Sequence, residues 1–263
     1  MNVEIIELGD RKAEFVLSNV MPAFVNSIRR CMLAEVPTIA IDYVNIYDNT
    51  SVLFDEQLAL RLGLVPLTTD LDSYILPSEC DCGGEGCPQC QVSLTLSAEG
   101  PKVVYSTELV SSDPLVVAAE VVPIIKLTKG QRISLEAIAK PGIGHDHAKW
   151  QAGIACGYKN VPQIEITDAC DTCNMCVDTC PRGVLVADGG LIKVINEPSC
   201  SLCKLCEAVC ELEGAITVGT RPDSFIFTAE SDGSMPIVEL IMRSIDEVKD
   251  KAKVLDKYLS IVD

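Results

Sequence analysis

Basic side chains are scarce in this chain. Only 21 Lys and Arg stand against 38 Asp and Glu, a formal charge of −17. So acidic a surface disfavours direct binding to nucleic acid or anionic membrane, and any contact with DNA is expected to be indirect. Long apolar runs are missing too: "LVVAAEVVPIIKL" (115–127) is broken by Glu120 and Pro123, well short of the ~18 residues of a spanning helix. The N-terminus "MNVEIIELGDRKAEF" lacks a basic start followed by an apolar core and a small-residue cleavage site, so a cytoplasmic chain is expected.

Catalytic signatures are also lacking. There is no G-x-x-x-x-G-K-[ST], no G-x-G-x-x-G, no nucleophile elbow and no acidic metal-binding triad. The two histidines, His145 and His147 in "GIGHDHAKW", have no H-E-x-x-H pattern around them, and a loop contact is their expected role. No catalytic residue is assigned.

Cysteine, by contrast, is abundant. Of fourteen, twelve fall in three tight clusters, leaving Cys31 and Cys156 aside. In a reducing compartment such clusters read as metal ligands rather than disulfides. The chain is otherwise long and apolar enough, at 263 residues and 48% hydrophobic, for two or three compact domains.

Four regions differ in pattern, and their order is that of an α+β protein. Residues 1–42 predict strand ("EFVLSN") and then a helix from Pro22, with Phe24, Ile28, Cys31, Met32 and Glu35 on one mostly apolar face and Asn26, Arg29, Arg30 and Leu33 off it. Residues 43–165 predict a β-rich domain: Val92, Leu94 and Leu96 alternate with Ser93, Thr95 and Ser97, and "DEQLALRLGLVPL" (55–67) is a short helix. Residues 166–218 are an internal duplication in which Cys170, Cys173, Cys176 and Cys180 recur thirty positions on as Cys200, Cys203, Cys206 and Cys210. Residues 219–263 predict a strand and a long helix over 236–261.

That last helix carries a heptad seam: Val238, Ile241, Ile245, Val248, Ala252, Leu255, Leu259 and Val262. The plainer reading is a stripe packed on its own domain. No second long helix is evident to cover a seam of this length, so a partner chain is the alternative.

The spacing C-x2-C-x2-C-x3-C-P is that of two-cluster bacterial ferredoxins, where the fourth cysteine of each run reaches the other cluster. Cys170, Cys173, Cys176 and Cys210 are therefore expected to hold one 4Fe-4S cluster, and Cys200, Cys203, Cys206 and Cys180 the other. Glu211 stands where the first run has Pro181, which makes the site using Cys210 the more labile expectation. Cys80, Cys82, Cys87 and Cys90 place four sulfurs in eleven residues with three glycines between; this suits a closed, structural zinc site. Reduced thiols or a redox-sensitive disulfide are the other readings of that loop.

"AFVNSIRRCMLAEVPTIAIDYVNIYDNTSVLFDEQLALRLGLVPL" (23–67) resembles the N-terminal region of alpha-type subunits of cellular RNA polymerases, and "GIGHDHAKWQA" resembles a loop of their archaeal and eukaryotic branch. With the ferredoxin-like insertion, the pattern is similar to that of the alpha-type subunits of archaeal RNA polymerases. The resemblance implies a dimerisation domain from both chain ends (1–42 and 219–263), with the β-rich and ferredoxin-like domains inserted. It implies a heterodimer with a smaller alpha-like subunit L, contacts with the large subunits through Asn26, Arg29 and Arg30, and small subunits N and P as further partners. If partner-buried, eight seam side chains at ~1.5–3 kcal/mol each give a gross term sufficient for an obligate interface, before ordering costs. The clusters would then be structural, or their oxidation would make assembly oxygen-sensitive. The competing function is electron transfer to a partner oxidoreductase.

Overall fold

The computed structural model describes residues 1–260; Ile261 and Val262, assigned above to the last helix and its seam, lie outside them. In chain order the elements are β1 (Asn2–Leu8), β2 (Lys12–Ser18), α1 (Pro22–Ala34), β3 (Thr38–Asn49), α2 (Asp55–Gly63), β4 (Val92–Glu99), β5 (Lys102–Tyr105), β6 (Val110–Ser111), β7 (Pro123–Leu127) and β8 (Arg132–Gly142). After these come β9 (Gly157–Ile166), α3 (Met175–Thr179), β10 (Leu185–Asp188), β11 (Leu191–Val194), α4 (Leu205–Val209), β12 (Ile216–Glu230) and α5 (Ile237–Leu259). No helix among the described residues is long and apolar enough to cross a membrane. Two compact units divide the chain.

One unit comprises residues 1–8, 14–25 and 157–228. Its four-stranded sheet has the order β1-β2-β12-β9, which places strands from the two ends of the chain side by side. β9 pairs antiparallel with β12 from Ile166↔Ile216 to Gly157↔Thr228, and the register shifts between Thr220 and Phe225. Pro222 lies in that gap and has no N–H to give the ladder. Phe15 stacks on Phe227 at 5.3 Å, and Tyr158 meets Phe225 edge-on at 5.6 Å. The period-two pattern alone extends the β-rich domain to residue 165; by pairing, β9 belongs to this sheet instead.

The cysteine-rich segment of the same unit contains the β10–β11 hairpin and the five-residue helices α3 and α4. Its core is thin. Of nine buried members, three are Cys176, Cys200 and Cys206.

The other unit comprises residues 9–13, 26–156 and those from 229 onward. Antiparallel strands in the order β3-β8-β4-β6 form its main sheet, and β5-β7 form a second. Burial in β4 alternates as the sequence predicts, with Val92, Leu94 and Leu96 inside. Leu58 and Leu62 of α2 complete this core with Ile41, Leu67, Ile124 and Leu127. α2 stops at Gly63, four residues short of the predicted span, as expected with Pro66 disfavouring helix in the residue before it.

Candidate functional site

The duplicated loops bring their cysteines together in two sets. Cys170, Cys173, Cys176 and Cys210 line one small cavity, whose remaining walls include Ile166, Ile192, Ala215 and Ile216. Cys180, Cys200, Cys203 and Cys206 line another, with Val184, Leu205 and Val218. Each cavity takes three thiols from one run and the fourth from the other. Three of the four corresponding pairs match in exposure: Cys173 and Cys203 are exposed, Cys176 and Cys206 buried, Cys180 and Cys210 intermediate, whereas Cys170 is intermediate and Cys200 buried.

The backbone between the thiols repeats too. Thr172 and Asn174 have φ of 59° and 66°, and Leu202 and Lys204 both have 59°. Left-handed conformations are costly for such residues and persist where the surroundings demand them. Alternating left-handed residues make concave nests of N–H groups, found at many iron–sulfur sites. In the second loop the Leu202 N–H donates to Cys200 Sγ at 3.4 Å. The Leu205 N–H, aided by the Ser201 side chain, holds the Cys203 thiol below its ordinary value. Lys159 of β9 braces this loop, its Nζ donating to the carbonyls of Pro198 (2.8 Å) and Cys200 (3.1 Å). Nothing in the sequence pattern marks Lys159, because the contact spans about forty residues.

Cys80, Cys82, Cys87 and Cys90 have all four sulfurs within 4.8 Å of one another. The Cys80–Cys87 and Cys82–Cys90 sulfur pairs are 3.5 Å apart, and Cys87–Cys90 is 3.8 Å. Four sulfurs ~2.3 Å from a central zinc ion would sit about 3.8 Å from each other, so the donor set fits that ion. The Gly86 N–H, followed by the Cys80 thiol, brings the Cys82 thiol down to about 6, while burial raises that of Cys90. Gly86 itself has φ +102°, and a Cβ there would fall 2.3 Å from Gln91 Oε1. Among the described residues this is the one compact donor group, and His145 and His147 are not part of it.

The histidine loop instead caps α1. His145 N–H donates to Ala34 O, and His147 Nδ1 accepts from the Lys149 N–H. A Cβ on Gly144 would meet the Leu33 carbonyl oxygen at 2.2 Å, so only glycine allows this approach. Lys149 bonds Asp42 (2.7 Å) and lies over the Trp150 ring at 4.2 Å.

α1 and α5 differ from their predicted faces. In α1 the buried set is Val25, Ile28, Cys31 and Met32, whereas Phe24 is 37% exposed. Glu35 falls just past the helix end. Burial pushes the Cys31 thiol up to about 11, fitting a core residue. Asn26 Oδ1 accepts two bonds from Arg29, at 3.1 and 2.9 Å, and Arg30 is exposed. In α5 the buried stripe is Ile237, Leu240 and Ser244. The heptad positions Ile241, Ile245 and Val248 are half-buried, Val238 and Ala252 are exposed, and so are Leu255 and Leu259 at 60% and 61%. The plainer reading of the seam therefore holds only for a neighbouring stripe in the first turns. Every described residue from Lys249 onward is exposed.

Residues 44–155 match the family described as "RNA polymerase Rpb3/RpoA insert domain". A DNA-directed RNA polymerase subunit Rpo3 of Methanosarcina acetivorans is 55% identical over 100% of this chain and 98% of its own length. Rpo3 subunits of Archaeoglobus fulgidus (44%, covering 98% and 97%) and Halobacterium salinarum (40%, covering 99% and 98%) are similar throughout as well. End-to-end likeness at these identities places the chain: it belongs to the Rpo3 family of DNA-directed RNA polymerase subunits.

Proposed function

We propose that this polymerase subunit is the platform on which the enzyme assembles, with α5 as the principal docking element for a smaller alpha-like subunit of the L type. The observation that carries this is the second half of α5, where Val254, Leu255, Tyr258 and Leu259 are all at least 55% exposed on a helix of 23 residues. A helix with so much uncovered apolar surface is stable when a partner buries it. Phe24 and Met21, exposed at the start of α1, are further apolar surface available to a partner. Arg29 and Arg30 are assigned to the large subunits, with Asn26 fixing the Arg29 guanidinium. The small N- and P-type subunits complete the expected set, in the cytoplasm.

The two cysteine cavities are assigned to 4Fe-4S clusters and the Cys80 loop to one zinc ion. Four thiols on a small apolar cavity, twice, with repeated left-handed backbone, support the first; the sulfur spacings support the second. A bound cluster supplies cross-links among loops and a one-electron couple. The chain's own residues do the rest: the short loops between the cysteines gain a fixed shape where the core is thin, because metal-binding energy is folding energy. No observation favours electron transfer as the principal role. Co-expression with a small alpha-like polymerase subunit, followed by size-exclusion and mass measurement, tests the platform: a one-to-one complex is expected, and two separate species would refute the docking role of α5.

A further inference from the structure

The duplication provides an internal control, since each residue from Cys170 to Cys180 has a counterpart thirty positions on, from Cys200 to Cys210. Their charges differ consistently. Residues 168–180 carry Asp168, Asp171 and Asp178 with no basic side chain, whereas residues 198–210 carry Lys204 and Glu207. The fourth thiol of the first cavity, Cys210, is followed by Glu211 and Glu213; that of the second, Cys180, is followed by Arg182.

The cavity linings repeat the contrast. Asp171 is the charged residue on the first wall, and Arg182 and Lys204 are those on the second. Glu207, 3.3 Å from Lys204, offsets part of that cation's field. The ammonium of Lys159, set against the carbonyl of Cys200, adds to it.

We infer that the two sites are electrostatically unequal, and that the site of Cys200, Cys203, Cys206 and Cys180 accepts an electron at a higher potential than the site of Cys170, Cys173, Cys176 and Cys210. This rests on reading both cavities as 4Fe-4S sites. Reduction from the 2+ to the 1+ level takes one electron from an external donor, such as dithionite, and breaks no bond. It adds one negative charge to the site, which nearby cations and N–H···S bonds favour and nearby carboxylates oppose. Under mild reductants the second site is thus the addressable one, and the first stays oxidised.

The test is a dithionite titration of the full chain, purified or reconstituted anaerobically with iron and sulfide and followed by electron paramagnetic resonance. Cys173→Ala and Cys203→Ala assign the two signals by deletion. Lys204→Asn and Asp171→Ser, each replacing a residue by its counterpart in the other run, keep every thiol and so guard against misfolding of the deletion variants. The expected result is two midpoints, with the higher one lost in Cys203→Ala, shifted down in Lys204→Asn and unmoved in Asp171→Ser, which instead raises the lower one. Two clusters with equal midpoints, or with the higher midpoint in the Cys170 set, overturn the inference and leave the cluster reading intact. A folded chain that takes up no iron and sulfide overturns both.

Discussion

Lys251 of α5 places its Nζ 2.9 Å from Glu35 Oε1, just beyond the end of α1. With both side chains partly exposed, such a pair contributes little stability. It is nevertheless near the point at which α5 stops burying anything of its own. Beyond it the helix presents only uncovered surface.

That asymmetry predicts a separation of effects. Leu255→Lys and Leu259→Lys should change the melting behaviour of the isolated chain by no more than ~0.5 kcal/mol, since the positions are uncovered and a cation suits a helix C-terminus. The same variants should weaken binding of a small alpha-like subunit at least ~10-fold, about 1.4 kcal/mol, if these side chains anchor the interface. Thermal melts and binding isotherms on one preparation separate the two; equal affinity for variant and parent would show that the helix end is not the contact.

Gly144 makes a different kind of prediction, because its effect is internal. With a Leu33 carbonyl oxygen 2.2 Å from where a Cβ would sit, Gly144→Ala forces backbone apart and should cost about 1–3 kcal/mol of stability. Chemical denaturation measures it. A variant as stable as the parent would mean that the histidine loop does not pack on the end of α1.

Asp42 sets a pH dependence. Burial tends to raise its carboxyl, but the Lys149 hydrogen bond and charge, joined by Lys140, outweigh this and hold it below the ordinary 3.8. A depressed folded-state value stabilises the fold above the unfolded value, and that contribution is lost as pH falls through the folded one. The difference in melting temperature between parent and Asp42→Asn should therefore stay constant from about pH 7 to 5 and shrink below about pH 4. Parallel curves down to acid pH would contradict this.

The Cys80 loop should carry about one zinc ion per chain and, with cobalt, give the absorption of a tetrahedral thiolate site. Cys82→Ser should lose the metal and lower the melting temperature. A metal-free loop with unchanged stability on chelation would return these cysteines to the status of reduced thiols.

Much of this was legible in the sequence where the signal is local. The thirty-residue repeat marks both sets of cysteines, and the period-two pattern marks β4 with its buried Val92, Leu94 and Leu96. Faces chosen by contacts distant in sequence were not legible. Phe24 and Val25 are equally apolar neighbours, and only packing decides that Val25 goes inside. The α5 heptad pattern runs beside Ile237, Leu240 and Ser244, one of them a serine that no apolar periodicity would select. The pairing of β9 with β12 is not legible for a similar reason, because a strand's partner is not written in its own residues. Lys159 carries no motif at all.

The most direct test of the platform is anaerobic affinity purification of the tagged chain from its own cells, with mass spectrometry of its companions and iron counted in the same sample. Recovery of a small alpha-like subunit and the large polymerase subunits, with roughly eight irons per chain, is the expected result. Recovery of the chain with oxidoreductases and without polymerase subunits would contradict it.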